Sequence, residues 1–430
     1  MLVSKNQISC IYTIIENRID FAMKKEYTYK FRLFPTEKQK VLLNKHFGSI
    51  RFVYNYFLDR RNKFYLNAKE KQLAKKSLNY LDDAKALTEL KKQDDKDWLY
   101  ECNAQSLQHS LKHLDGAFNR FYKKLGGFPR FKNKRSKQSF RVPQTVEIRS
   151  DKVCFTKFME GIAYDKHREI EGEIQNATIT CNPAGQYFVC IGVNRDIQTK
   201  EKKEKVVGVD LGIKTLVVCS DGDTYANIKP QKNLERLIKI RSKALSRTQK
   251  NKDGIESKGR LDARRYLAKV YNKASNIRNN HLHQISSRII NENQVIALED
   301  LNVKGMVKNR RLSKSILDCS WSELVRQLTY KADWYGREII KIDRFYPSSK
   351  TCNECGFIND SLTLEDRKWT CPKCKANLNR DLNAARNILR QGLNSKNKTV
   401  GTTGLAECLG GRPTAQKAIG NRLARKPTRL

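Results

Sequence analysis

Two cysteine pairs, Cys352-x2-Cys355 and Cys371-x2-Cys374, separated by fifteen residues, narrow most sharply what this chain can fold into. Four thiolates at that spacing suit a tetrahedral Zn2+ held between two tight knuckles, and Gly356 supplies the turn freedom that the first knuckle uses. Such a site leaves no open position for a substrate, so its role is structural; an iron–sulfur cluster or a redox pair is the competing reading. A zinc ribbon is therefore expected over residues 351–375. The chain has twelve cysteines. In a long chain whose first residues lack a signal-peptide pattern, the rest read as buried free thiols.

The balance of charge points to the partner. Lys and Arg number 85 against 45 Asp and Glu, a net charge of +40 distributed along all 430 residues. Such an excess calls for a polyanion, and nucleic acid relieves the self-repulsion best. A merely soluble basic protein is the bland alternative. No apolar run approaches the roughly 18 residues of a membrane span. The expectation is a cytoplasmic, nucleoid-associated protein without a membrane partner, a monomer more readily than an oligomer.

Along the chain, residues 1–22 form an extension without a clear pattern. Tyr27, Tyr29, Phe31 and Leu33 alternate with Thr28, Lys30 and Arg32, which reads as a half-buried strand ended by Pro35. Thr36 followed by Gln39 is a capping-box start for a helix, and apolar residues recur at helical spacing to Phe121. Residues 36–126 are thus expected to be a helical recognition domain. It would be inserted into a β-barrel formed by 23–35 and 127–200, in which Asn182-Pro183-Ala184-Gly185 turns a hairpin. Between them, Arg130, Phe131, Lys132 and Arg135 combine phosphate-binding charge with stackable rings, as single-stranded nucleic-acid contacts require. His281 and His283 lack the spacing of a shared helical face and read as surface or packing residues. Residues 396–430 read as a basic, mobile tail.

Three apolar strands beginning at Val206, a basic helical stretch, a strand at Val295–Leu298, a helix and a strand at Ile339–Ile342 follow in order. This α/β multidomain pattern is that expected of an RNase H-like nuclease core, 205–350 and 376–395, interrupted by the ribbon. Asp210 follows the first strand, Glu299 ends the fourth, and Asp381 opens a helix with Leu382, Ala385, Ile388 and Leu389 on its buried face. Singly, these are a turn residue, a solvated strand end and an N-cap. Together they match what phosphodiester hydrolysis needs, converging carboxylates that hold two Mg2+ ions about 3.5 to 4 Å apart.

Gly208-Val209-Asp210-Leu211-Gly212, Leu298-Glu299-Asp300-Leu301 and the run from Asn379 through Asp381 to Ile388 resemble the three RuvC motifs of TnpB, the transposon-associated nuclease family related to type V CRISPR effectors. Tyr29 to Thr36 resembles the family's N-terminus, and Phe345 to Cys352 its approach to the ribbon, so the likeness covers most of residues 24–395. The resemblance implies an RNA-guided DNA endonuclease that takes a guide RNA and double-stranded target DNA. It makes Asp210, Glu299 and Asp381 the metal-binding catalytic triad; Arg380, beside Asp381, is read as a further nucleic-acid contact. Asn379 departs from relatives that carry an acidic residue or histidine there. The alternatives are a compact type V CRISPR effector, a non-cutting regulator of transposition and, on fold alone, a DNA-joining transposase.

Overall fold

The computed structural model describes residues 23–72, 77–248, 256–363 and 365–407; the extension 1–22 and tail residues 408–430 lie outside them. The alternating stretch forms β1 (Met23–Phe34), with Tyr29, Phe31 and Leu33 buried and Thr28 and Lys30 exposed. Thr36 then opens α1 (Glu37–Glu70) through a reciprocal capping box, Oγ1 accepting from Gln39 N–H at 3.3 Å and Gln39 Oε1 accepting from Thr36 N–H at 3.0 Å. Helix α2 (Tyr80–Lys91) follows, before α3 (Ala104–Tyr122).

Strands β2 (Gln138–Val142), β3 (Glu147–Arg149), β4 (Lys152–Phe155), β5 (Phe158–Tyr164), β6 (Glu173–Cys181) and β7 (Tyr187–Ile197) join β1 in one sheet of order β2-β6-β7-β1-β5-β4-β3. The β6–β7 hairpin turns through Gly185 at φ +75°, as its residue chemistry requires. The pairing runs from a β2 edge to a β3 edge. The helices are not a separate module. Leu43, Phe57, Leu107 and Leu111 share one buried cluster with Phe31, Phe140, Ile179 and Val189 of the sheet. The boundary expected at residue 126 therefore crosses a continuous core. Within it, Asp83 is fully buried and accepts from Arg60 at 2.7 Å and Arg61 at 2.6 Å, and Arg61 also reaches Asp115 at 3.1 Å.

The chain divides into two compact units, and residues Ile228–Gln284, which the expected nuclease stretch 205–350 had included, group with the N-terminal unit. These residues include α4 (Glu235–Arg247) and most of α5 (Lys258–Glu292).

The second unit is built on a five-stranded sheet. Strands β8 (Val206–Leu211), β9 (Thr215–Cys219) and β10 (Thr224–Ala226) form an antiparallel meander, and β11 (Val295–Glu299) and β12 (Glu338–Ile342) add in parallel to β8, in the order β10-β9-β8-β11-β12. Helix α6 (Trp321–Tyr335) precedes β12. A small hairpin, β13 (Lys368–Thr370) with β14 (Asn377–Asn379), leads into α7 (Arg380–Glu407). That helix runs past residue 396, the start of the expected mobile tail. Its buried face also differs from expectation: Ala384, Ala385, Ile388, Asn383 and Asn387 are buried, whereas Leu382 and Leu389 are half-buried. No helix among the described residues is long and apolar enough to cross a membrane.

Candidate active site and a four-thiol metal centre

Register brings the first two carboxylates together. Val209 on β8 pairs with Leu298 on β11, so Asp210 and Glu299 stand at the next step of adjacent parallel strands, about 4.8 Å apart across the ladder. Side chains alternate along a strand, which puts Asp210 on the face of Gly208 and Glu299 on the face of Ala297. Helix α7 lies on that face. A Cβ built on Gly208 would stand 2.1 Å from the Ala385 carbonyl oxygen and 2.7 Å from the Leu389 nitrogen. Gly392 approaches Ala297 in the same way, with a Cβ there only 2.9 Å from the alanine methyl. Contact of Ala385 with Gly208 fixes the helix along the strand. Asp381, one turn earlier on α7, is thereby carried to the end of β8 where Asp210 lies.

The electrostatics record this gathering. Burial first, then the charges of Glu299 and Asp381, push the Asp210 carboxyl up to about 7, opposed by the Arg380 guanidinium. Burial also raises Glu299, opposed by the hydrogen bond it accepts from the Ser348 hydroxyl. Asp381 accepts from Arg367 at 3.3 Å. The commonplace readings of these residues do not hold. Asp210 is within β8, paired with Val218, and no turn residue. The cap of α7 is Asn379, whose Oδ1 accepts from the N–H groups of Asp381 at 3.1 Å and Leu382 at 3.2 Å, which leaves the Asp381 carboxylate out of the capping role.

The four cysteines do converge as their spacing implies. Cys352 and Cys374 sulfurs are 3.7 Å apart and those of Cys355 and Cys371 3.6 Å, and all four lie within 4.8 Å of one another. Tetrahedral zinc with 2.3 Å bonds asks for sulfur separations of about 3.8 Å. Backbone N–H groups of Glu354 and Cys355 point at Cys352 Sγ, and those of Lys373 and Cys374 at Cys371 Sγ, the donors expected of two knuckles. Among the described residues this is the one group of three or more such ligands so closely gathered; the three carboxylates are neighbours at longer range.

Two residues of the third motif do work that spacing alone does not reveal. Asn383 Nδ2 donates to the Thr351 carbonyl at 2.7 Å and its Oδ1 accepts from Asn353 N–H at 2.9 Å, while Asn387 Nδ2 donates to the carbonyls of Ser348 at 2.8 Å and Thr351 at 2.5 Å. Two asparagines four residues apart beside buried alanines are the available signal: buried amides need partners. They clamp the turn segment leading into the first knuckle against α7.

The expected nucleic-acid contacts divide. Arg130 is exposed and Phe131 is 56% exposed. Lys132, in contrast, is half-buried, its backbone held by Asn55 and its ammonium 3.7 Å from the centre of the Tyr54 ring. Arg135 pairs with Glu256 at 3.2 Å. Arg380 donates to the Thr363 carbonyl at 2.6 Å and acts electrostatically on Asp210.

Comparison with known proteins identifies the family. A helix-turn-helix domain model matches residues 23–70, a probable transposase model of the same OrfB/IS605 type matches 188–310, and a Cas12f1-like TNB domain model matches 321–388. A Streptomyces pristinaespiralis protein named "Putative RNA-guided DNA endonuclease" is 35% identical over 369 residues, 85% of this chain and 89% of its own. The Escherichia coli K12 protein named "Putative RNA-guided DNA endonuclease InsQ" is 29% identical over 388 residues, covering 86% and 93%. A solved Cas12f1–sgRNA–target DNA complex aligns over 85% of this chain and 98% of its own, at 13% identity and a TM-score of 0.49. With a relative at that identity and coverage, the chain belongs to the TnpB family, the OrfB/IS605 group among whose relatives the name RNA-guided DNA endonuclease recurs.

Proposed function

We propose that the chain is a TnpB-type RNA-guided DNA endonuclease, hydrolysing phosphodiesters of double-stranded DNA with Asp210, Glu299 and Asp381. One observation carries this reading: the backbone of α7 seated on Gly208 brings Asp381 to the strand ends that bear Asp210 and Glu299. The strand order, with β9 alone antiparallel to β8, β11 and β12, supports an RNase H-like (RuvC) core. Residues 205–350 and 376–395 would make up that core, 351–375 the zinc ribbon, and the seven-stranded sheet a barrel-like domain carrying the helices of 36–126.

The donor set fits its metals. Hard carboxylate oxygens, one of them on a half-buried residue whose carboxyl is pushed up by desolvation and then by its neighbours' charges, suit Mg2+, whereas the thiolates suit Zn2+. Bound Mg2+ would neutralise charge on the attacking and leaving oxygens. The chain's own residues orient the site: Ser348 holds Glu299, Arg367 holds Asp381, and Arg380 opposes the clustered negative charge. The net charge of +40 suits a guide RNA and target DNA held by backbone and shape, with base pairing reading sequence and the protein reading a short flanking motif. Exposed Arg130 and Phe131 suit such contacts. The match of residues 321–388 to a Cas12f1-like domain favours one second reading, a compact type V CRISPR effector.

Co-expression with the native flanking DNA, purification and sequencing of the retained RNA separate these. A discrete RNA with a constant scaffold from the element's end and a short variable stretch supports the TnpB reading, and repeat-derived RNA the CRISPR reading. Protein that retains no defined RNA refutes guidance.

A further inference from the structure

We infer that Ser348 is a positioning residue for the carboxylate site, its hydroxyl orienting Glu299 while its backbone ties that orientation to the helix that carries Asp381. The inference rests on the proposed nuclease reading. Ser348 is 5% exposed, and its Oγ donates to Glu299 Oε1. A glutamate at a strand end has three side-chain torsions, and this contact limits them. The serine is itself immobilised. Its carbonyl accepts from Asn387 on α7 at 2.8 Å, and its N–H donates to the Tyr346 carbonyl at 2.8 Å. Tyr346 packs on Ala297, Ile342 and Ile388, and Thr351 closes the turn by donating N–H and Oγ1 to the Pro347 carbonyl at 3.0 and 2.9 Å.

The result is a bridge between two carboxylates: Glu299 to Ser348, Ser348 to Asn387, and Asn387 through α7 to Asp381. The same short segment continues into Cys352, so the thiolate centre and the carboxylate site share one strut. Packing in this segment comes from Tyr346 and the asparagines, and the hydroxyl spends its hydrogen bond on the carboxylate. Its removal should therefore alter metal handling more than folding.

The test uses the full chain with the RNA it retains, and cleavage measured against Mg2+ concentration for Ser348→Ala, Ser348→Cys and Ser348→Thr. Mn2+ binding to the RNA-free full chain, followed by electron paramagnetic resonance, is the second readout, and Asp210→Ala the reference for loss of the site. Outer-shell partners of metal ligands typically contribute 10–100-fold to affinity, so Ser348→Ala and Ser348→Cys should raise half-saturating Mg2+ and weaken Mn2+ binding by about that factor. Cutting at saturating Mg2+ should fall much less. Ser348→Thr, which keeps the hydroxyl, should restore most of the loss. Wild-type metal dependence in Ser348→Ala and Ser348→Cys overturns the inference. So does equal loss of cutting at every Mg2+ concentration without rescue by threonine, the mark of a structural role. If wild type and Asp210→Ala bind Mn2+ alike, the nuclease reading itself fails, whatever the serine variants do.

Discussion

Replacing Gly208 by alanine tests how the site is assembled. The added methyl would sit 2.1 Å from the Ala385 carbonyl oxygen, 2.7 Å from the Leu389 nitrogen and 2.8 Å from Leu389 Cβ. Two of these three are backbone atoms of α7 and cannot rotate aside. Heavy atoms in contact prefer about 3.5 to 4 Å, so the helix must retreat by roughly 1 Å. Overpacking of this kind costs about 1–3 kcal/mol, and the upper end applies because the clash is with main chain. Asp381 rides on the retreating helix, and a 1 Å misplacement of reacting groups costs about 100-fold in rate. The assay is single-turnover cleavage at saturating Mg2+ beside thermal unfolding. Gly116→Ala in α3 is the control, since a Cβ there meets nothing within 4 Å. Removing a mid-helix glycine should stabilise by about 0.5–1 kcal/mol with no change in rate. Gly208→Ala protein that melts and cuts like wild type would refute the seating of α7 as the origin of the site.

Further outcomes follow from other parts of the structure. Among the described residues the ribbon's buried cluster is Cys352, Trp369, Cys371 and Leu378, so Cys371→Ser should lose one zinc per chain by elemental analysis and shift Trp369 emission to the red, with Trp369→Phe identifying the signal. Asp83→Ala leaves the buried Arg61 guanidinium with Asp115 as its one ion-pair partner among the described residues, and denaturant unfolding should register a loss of about 3 kcal/mol. Without added Mg2+, Asp210 has a folded-state pKa raised from its ordinary value of 3.8 to about 7, so the folded protein holds a proton that the unfolded chain has released. The contribution of Asp210 to stability should therefore fall as pH rises between those values and level off above, so Asp210→Asn should make melting curves taken at several pH values fall less steeply over that range than wild type.

The parts of this molecule legible from sequence are those governed by local rules. Cysteine spacing locates the thiolate centre because a knuckle is a short-range object, and alternation locates β1 because a half-buried strand has period two. The strands bearing Asp210 and Glu299 were legible as short continuous apolar runs, the pattern of strands buried on both faces. What sequence did not disclose depends on contacts between distant segments. Gly208 is one residue of a motif until α7 is seen against it, and Asn383 and Asn387 look like polar surface until the turn segment they clamp is in place. Lys132 reads as a free phosphate contact, yet the Tyr54 ring and Asn55 occupy it. The helices after Thr36 read as a separate module because periodicity says that a face is buried, not what buries it.

The most direct test of the central claim pairs a reprogrammed guide with a carboxylate variant. Protein purified with its RNA, in which the variable stretch has been replaced, is given supercoiled DNA bearing the matching sequence beside a library of flanking motifs, with Mg2+. The account predicts that cutting moves to the new match, requires one short flanking motif, and disappears in Asp210→Ala while the variant still binds the same DNA. Cutting that ignores the guide, or that survives in Asp210→Ala, would contradict it.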